Sequence, residues 1–355
     1  MSATSPLDAD RLEAILTAIP RLTIAVVGDL FLDRYLDLDA ELTEPSLETG
    51  LDAYQVVAVR SYPGAAGTVV NNLAALGVGR ICPLAVVGDD GEGYELRQAL
   101  GRMPAVDPRG LIVSADRRTP TYTKPMLCEQ GRAPRELNRL DIKNRRPVPE
   151  HLEGQIVREL GGLWPEVDAL VVLDQVSEND CGVVTGKVRE ALSKLAMGEP
   201  SKFVLADSRE RVGLFRNVCL KPNRHETLRA VGRDDGAGDD ALTRAAHQLA
   251  TAAGRWVFCT DGARGILLAS PQDKENENRP RISAYPVNGP IDIVGAGDST
   301  SAAIVCAMAA GVGVEAAASF GNLVASITIQ QLGTTGTASP AQLRQRFHST
   351  GEPAA

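Results

Sequence analysis

Five short runs of apolar, β-favouring residues, at positions 22–27, 81–87, 169–173, 202–206 and 256–260, are separated by stretches with helical periodicity at 68–76, 94–100, 152–160, 182–196 and 240–253. A strand that is apolar at every position needs cover on both faces, and helices between such strands supply it. The alternation predicts an α/β fold: a doubly wound, mainly parallel sheet flanked by helices. In such sheets ligands bind beyond the carboxyl ends of the strands, and acids gather at those ends here: Asp29, Asp33, Asp89, Asp90, Asp174, Asp207 and Asp261. Loop acids also serve as turn residues, so the gathering points to one composite site without assigning each member.

Length and composition narrow the class. With 355 residues and 44% hydrophobic content, one large core with an appendage fits. The net charge of −8 (37 basic against 45 acidic residues) comes without a basic block, which disfavours nucleic acid and anionic membrane as partners. Six cysteines (Cys82, Cys128, Cys181, Cys219, Cys259, Cys306) include no C-x-x-C pair and only four histidines accompany them, so neither a zinc cluster nor a disulfide framework is indicated. Asp8, Asp10 and Glu13 stand where a secretory leader needs positive charge, and no stretch approaches the roughly 18 apolar residues of a membrane span. A cytoplasmic protein is expected.

Two segments break the alternation. Residues 34–62 and 116–142 contain strand-like stretches at 54–59 and 119–127 without helices between, and read either as a small antiparallel sheet projecting from the core or as a pair of surface hairpins. Residues 271–280 read as a solvated loop, and 348–355 as a frayed tail.

The most specific chemistry lies in Asp292-Ile293-Val294-Gly295-Ala296-Gly297-Asp298, followed by small residues at 299–310 that read as a helix ending at Gly311. Glycines on either side of an alanine let consecutive N–H groups turn inward at a helix N-terminus, where the dipole favours an anion such as phosphate. A carboxylate at Asp298 would repel that phosphate, but it could take a proton from a hydroxyl attacking it. The same residues also read as a tight turn with Asp298 as a helix N-cap.

Together with Pro63-Gly64-Ala65-Ala66-Gly67-Thr68-Val69-Val70-Asn71-Asn72, this motif resembles the signatures of the ribokinase-like (PfkB) carbohydrate kinases, and the resemblance spans roughly residues 20–347. It implies Asp298 as base over the anion cradle of Gly295, Ala296 and Gly297. It implies sugar contacts at Asp33, in Val27-Gly28-Asp29-Leu30-Phe31-Leu32-Asp33-Arg34-Tyr35, and at Gly64, Thr68 and Asn72. On the nucleotide side it implies Asn223 and Glu226, in Lys221-Pro222-Asn223-Arg224-His225-Glu226, with Glu226 as an outer-shell ligand of hydrated Mg²⁺. Thr260, Gly262 and Gly265 would form the ribose turn, and Asn322 with the Gly333-Thr334 turn the end of the adenine pocket. ATP and Mg²⁺ follow as cofactors, with a monovalent-cation requirement left open, and the strand pair becomes a lid that also makes a homodimer. Three positions depart from the family pattern: Ile293 for Thr, Ala65 for the second Gly, and Thr68 for Asn.

Within the superfamily the chain is most similar to bacterial heptose-7-phosphate 1-kinases, on Gly28-Asp29, Asp33-Arg34-Tyr35, Thr121-Tyr122-Thr123-Lys124 and Leu137-Asn138-Arg139-Leu140-Asp141. That likeness implies a sugar phosphate held by Lys124 and Arg139. Asp174-Gln175 departs from that group's usual Asp-Tyr. Ribose, fructose and fructose phosphate remain alternative acceptors, and Ile293 with Thr68 keeps open a non-catalytic sugar-phosphate or nucleotide sensor. A Rossmann dehydrogenase is disfavoured because Gly28-Asp29-Leu30, not G-x-G-x-x-G, follows the first strand, and a P-loop because Gly186-Lys187-Val188 lacks the hydroxyl residue.

Overall fold

The computed structural model describes residues 6–234, 236, 238–273 and 281–350. Its strands are β1 (Thr23–Gly28), β2 (Leu30–Pro45), β3 (Asp52–Ala65), β4 (Arg80–Gly88), β5 (Leu111–Ser114), β6 (Thr121–Cys128) and β7 (Arg135–Glu136). They continue with β8 (Leu140–Ile142), β9 (Ala169–Asp174), β10 (Phe203–Ser208), β11 (Cys219–Leu220), β12 (Val257–Thr260), β13 (Ile266–Ala269) and β14 (Arg281–Ile282). The helices are α1 (Ala9–Ala18), α2 (Ala66–Leu76), α3 (Gly91–Gly101), α4 (Glu150–Leu163) and α5 (Gly186–Gly198). After them come α6 (Arg224–Ala230), α7 (Asp239–Ala253), α8 (Ala296–Ala309), α9 (Val314–Thr328) and α10 (Pro340–Thr350).

Nine strands form the main sheet in the order β14-β13-β12-β11-β10-β9-β1-β4-β5. All neighbours from β5 to β12 run parallel, and β13 and β14 add an antiparallel edge. Period-two alternation divides the core in two. Ile24 and Val26 of β1 pack with α2, α8 and α9 on one face, while Ala25 and Val27 pack with α4, α5 and α7 on the other. A strand buried on both faces has no polar side, which is why these runs are legible as sequence.

The lid is a five-strand sheet in which β2 pairs β3 antiparallel but β6 parallel, so the expected antiparallel pairing is corrected to a mixed sheet. The parallel pairing arises because α2, β4, α3 and β5 intervene between β3 and β6, and the chain re-enters the lid from the same end as β2. Both flanks of the lid hairpin also reach deeper than the expected 34–62: Leu30 pairs with Ala65 at the rim of the main sheet.

Positions 348–350, expected within a frayed tail, complete α10. The rest of that tail, 351–355, and 274–280 of the expected loop lie outside the described residues. Among the described residues no helix is long and apolar enough to cross a membrane, and all six cysteines are free thiols.

Candidate active site

Helix α8 begins at the glycine turn. Gly295 is its N-cap at φ 79°, a left-handed backbone that favours glycine, and Asp298 is the third helical residue. Asp298 is therefore not the N-cap, and the reading as a simple capping turn fails. The Asp292 carboxylate fixes the approach to the turn by accepting from Val294 N–H (3.0 Å) and Gly333 N–H (3.0 Å). Behind the turn the helix is buried from Ser299 to Ala307. Its small side chains let it pack closely on α2 and α9, so the N-terminus is held rather than frayed.

Around Asp298 the charges are arranged unevenly. Burial, then the neighbouring carboxylate of Asp207, push the Asp298 carboxyl up to about 7, against the opposing pull of Lys221 and Arg209. Asp207, at the end of β10, accepts from Lys221 Nζ at 2.8 Å and from Ser301 Oγ at 3.3 Å. Ser301 lies one turn beyond Asp298, so both side chains share the α8 face that looks toward β10. Lys221 is 3% exposed, and a Cβ on Gly297 would lie 3.5 Å from its Nζ. Burial opposes its charge, yet Asp207, together with Glu226 and Asp298, more than compensates and holds the ammonium above its ordinary pKa.

On the acceptor side the charge of Asp33 reaches Asp298, and Gly64 abuts Asp33: a Cβ at Gly64 would sit 2.5 Å from Asp33 Oδ2. Lys124 donates to the Tyr35 hydroxyl (3.1 Å) and pairs with Asp33 (3.5 Å). Arg139 makes a two-pronged pair with Asp141 (2.7 and 2.9 Å) and lies 4.1 Å over the Tyr122 ring. Both cations expected to meet a substrate phosphate thus already have carboxylate partners. Thr68 packs against the glycine turn, its methyl 3.5 Å from a Cβ built on Gly295. Asn72 lies within the packing of α2, and its Oδ1 has no hydrogen-bond partner among the described residues. The residue is 1% exposed, its amide donates back to Thr68 C=O (2.9 Å), and α2, covered on both sides, keeps it inside the helix packing.

On the nucleotide side Asn223 and Glu226 form a capping box at α6: Asn223 Oδ1 accepts from Glu226 N–H and Glu226 Oε2 from Asn223 N–H, both at 2.8 Å. Thr260 joins them through a bridge to Asn223. Gly262 and Gly265 both have positive φ and shape the turn between β12 and β13. Asn322 does not open onto this site. It is 7% exposed and its amide donates to Ile282 C=O (2.9 Å) and Ser283 C=O (3.0 Å), anchoring the β14 edge to α9.

Among the described residues no group of three or more acidic, histidine or cysteine side chains is placed to hold a metal. Glu226 fits the outer-shell role, with one oxygen in the capping box and the other uncommitted among the described residues; burial and Asp207 raise its pKa.

Four of the remaining strand-end acids have structural work, and the fifth, Asp89, is exposed. Asp29 accepts from the backbone N–H of Gln175, Val176 and Val183, and burial pushes its carboxyl up to about 6. Asp174 is buried against Arg211 (2.6 Å) and Ser208 (2.7 Å). Asp90 caps α3 and receives Thr119, and Asp261 holds Arg264 and Arg281.

Residues 23–342 match the family described as pfkB family carbohydrate kinase, most of the chain. The chain belongs to the pfkB carbohydrate kinase family. Among similar members of known name are two called Bifunctional protein HldE. That of Rhodospirillum rubrum is 29% identical over 91% of this chain and 62% of its own length. That of Pelobacter propionicus is 30% identical over 95% and 65%. The chain spans less than two thirds of the length of these relatives. In fold it is similar to Arabidopsis thaliana ribokinase solved with ribose and ATP (TM-score 0.65, 17% identity, 92% of this chain and 98% of that one). It is also similar to Escherichia coli phosphofructokinase-2 solved with potassium (TM-score 0.67, 18% identity, 93% and 99%).

In this pfkB fold the start of β2, the ends of β10 and β11 and the start of α8 bring Asp33, Asp207 and Lys221 within electrostatic reach of Asp298. Lys221 was not among the expected site residues. Its only signal was its place next to Pro222-Asn223, and a lysine beside a strand end is ordinarily solvated.

Proposed function

We propose that the chain transfers the terminal phosphoryl group of ATP to a hydroxyl of a sugar phosphate of the heptose-7-phosphate kind. The observation that carries the reading is Asp298, three residues into α8, with its carboxyl pushed up to about 7 beside the glycine turn. A base of that pKa is half-ionised near neutrality, where it can both take a proton and hold it. The acceptor hydroxyl gives its proton to the Asp298 carboxylate as its oxygen bonds to the γ-phosphorus. The bond from that phosphorus to the β,γ-bridging oxygen breaks, and ADP leaves with the electron pair. N–H groups of the 295–297 turn face the charge that spreads over the transferring oxygens, and Lys221 adds a cation beside Gly297. Asp33, backed by Gly64, orients the acceptor. Bound Mg²⁺ would neutralise charge between the nucleotide phosphates, with Glu226 holding one of its waters.

The lid supports a homodimer. Val56, Val57 and Val59 of β3 are about half exposed, with Val56 opposite Leu38 and Val59 opposite Leu36 on one face of the ribbon, so a second copy would find apolar surface there. Sedimentation would read a dimer in the wild type and a monomer in Val57→Lys/Val59→Lys.

Release of ADP from Mg·ATP, followed across a panel of heptose phosphates, hexose phosphates and free sugars, tests the activity. Turnover is expected with the panel's heptose 7-phosphate above the others. No ADP release with any acceptor would overturn the kinase reading.

A further inference from the structure

Next to Asp33 a recess opens between the end of β1, the base of β6 and the loops around residues 144 and 176. Phe31 and Tyr122 meet edge to face on its wall, their ring centroids 5.1 Å apart. Most of the charges around it are spent. Asp29 is engaged by three backbone N–H groups, and Glu178 pairs with Arg145 at 3.4 Å. The Arg117 guanidinium donates to the carbonyls of Arg146, Pro147 and Cys181. Two cations remain. Lys143 and Arg209 line the same recess and have no carboxylate partner among the described residues. Lys143 lies 5.8 Å over the Tyr122 ring. Arg209, just beyond β10, is felt electrostatically by both Tyr122 and Asp298, so the recess adjoins the acceptor side of the base.

We propose that Lys143 and Arg209, over the Tyr122 platform, form the subsite that takes the phosphate monoester of the acceptor. The inference rests on the kinase reading above and names where that reading's substrate phosphate is held. A phosphate dianion arriving there breaks no existing ion pair, whereas at Lys124 or Arg139 it would compete with Asp33 or Asp141. An arginine and a lysine with a shared open space between them suit a tetrahedral dianion, which offers acceptors to both. The phosphate would hold one end of the sugar and leave the other end facing Asp298.

The test measures kcat/KM for a heptose 7-phosphate and for the same heptose without its phosphate, in wild type, Lys143→Gln, Arg209→Gln and the double variant. Calorimetric binding of the heptose 7-phosphate without ATP is measured in parallel. Lys194→Gln, on the exposed face of α5, controls for net charge. Each single change is expected to lower kcat/KM for the phosphorylated sugar about tenfold or more, with a smaller loss on the free heptose, so that the preference collapses in the double variant. Lys143→Arg and Arg209→Lys should retain most of the preference, which separates lost charge from a damaged fold. A double variant that binds and turns over the heptose 7-phosphate like wild type overturns the subsite and leaves the kinase reading standing. Equal losses on both sugars, or a wild type that favours or binds only the free sugar, also overturn it. If wild type binds the heptose 7-phosphate without turning it over, and the double variant loses that binding, the subsite stands and the catalytic reading falls.

Discussion

Lys221 Nζ lies 2.8 Å from Asp207 Oδ2 in the interior of the protein, beside the glycine turn that starts α8. The pair settles how two carboxylates can share the neighbourhood of one reacting phosphate. Asp207 is neutralised locally by a hydrogen-bonded cation and stays in place as a buried ion pair, while Asp298 has no such partner among the described residues and carries the raised pKa.

The first prediction follows from that asymmetry. Asp298→Asn is expected to lower kcat by roughly 10² to 10⁴ while leaving ATP affinity nearly intact. In the wild type, kcat/KM for ATP should fall about tenfold per pH unit below about pH 7, because the base must be ionised to work. Wild-type turnover in the variant, or a flat profile between pH 5 and 8, removes Asp298 from the mechanism.

The same group has a cost in stability. Its folded pKa of about 7 lies above the ordinary value of 3.8, so the folded state binds the extra proton and stability falls as pH rises through that window. Asp298→Asn should therefore raise the urea midpoint above pH 7, and the difference from wild type should vanish below pH 4. A variant less stable than wild type at pH 8 would contradict this.

Asp33→Ala is expected to raise acceptor KM about tenfold or more and to lower kcat, with little change in ATP affinity. Asp33 contacts Gly64 and Lys124 on the lid side, away from the α6 capping box. Loss of ATP binding in a folded variant would move Asp33 to the nucleotide side.

Ala65 occupies φ 52°, ψ −118°, a region that glycine enters freely and alanine does not. Releasing that strain outweighs the extra chain entropy of glycine in the unfolded state, so Ala65→Gly should stabilise the protein by about 1 kcal/mol in urea titration. A lower midpoint would mean the neighbouring Gly64 and Ala66 already absorb the strain.

Arg211→Met would leave the Asp174 carboxylate buried without its ion-pair partner, and should cost about 3–5 kcal/mol. Adding Asp174→Leu removes the stranded charge and should recover most of the loss. A single variant within 1 kcal/mol of wild type, measured by urea unfolding, would show that Ser208 suffices for Asp174.

What the sequence by itself determined is what local pattern and fixed spacing encode. The core strands β1, β4, β9 and β10 fall within a residue or two of their expected bounds, because strands covered on both faces are apolar throughout. The anion-ready turn before α8 was legible because only glycine flanked by small residues gives that backbone. Tertiary structure decided the partners. The lid ribbon shifts register at Asp37/Leu38, opposite Val57, so it lacks the alternation that announces a half-buried strand, and its pairing with β6 awaits four intervening elements. Asp29, Asp174 and Asp207 look alike as strand-end acids. One is clamped by backbone N–H groups, one by Arg211 and one by Lys221, and these assignments depend on distances across the fold that no spacing along the chain records. For the same reason the packing of α2 and α9 decides how Asn72 and Asn322 sit: the Asn322 amide donates to the carbonyls of Ile282 and Ser283, while the Asn72 amide donates to Thr68 and leaves its Oδ1 without a partner among the described residues.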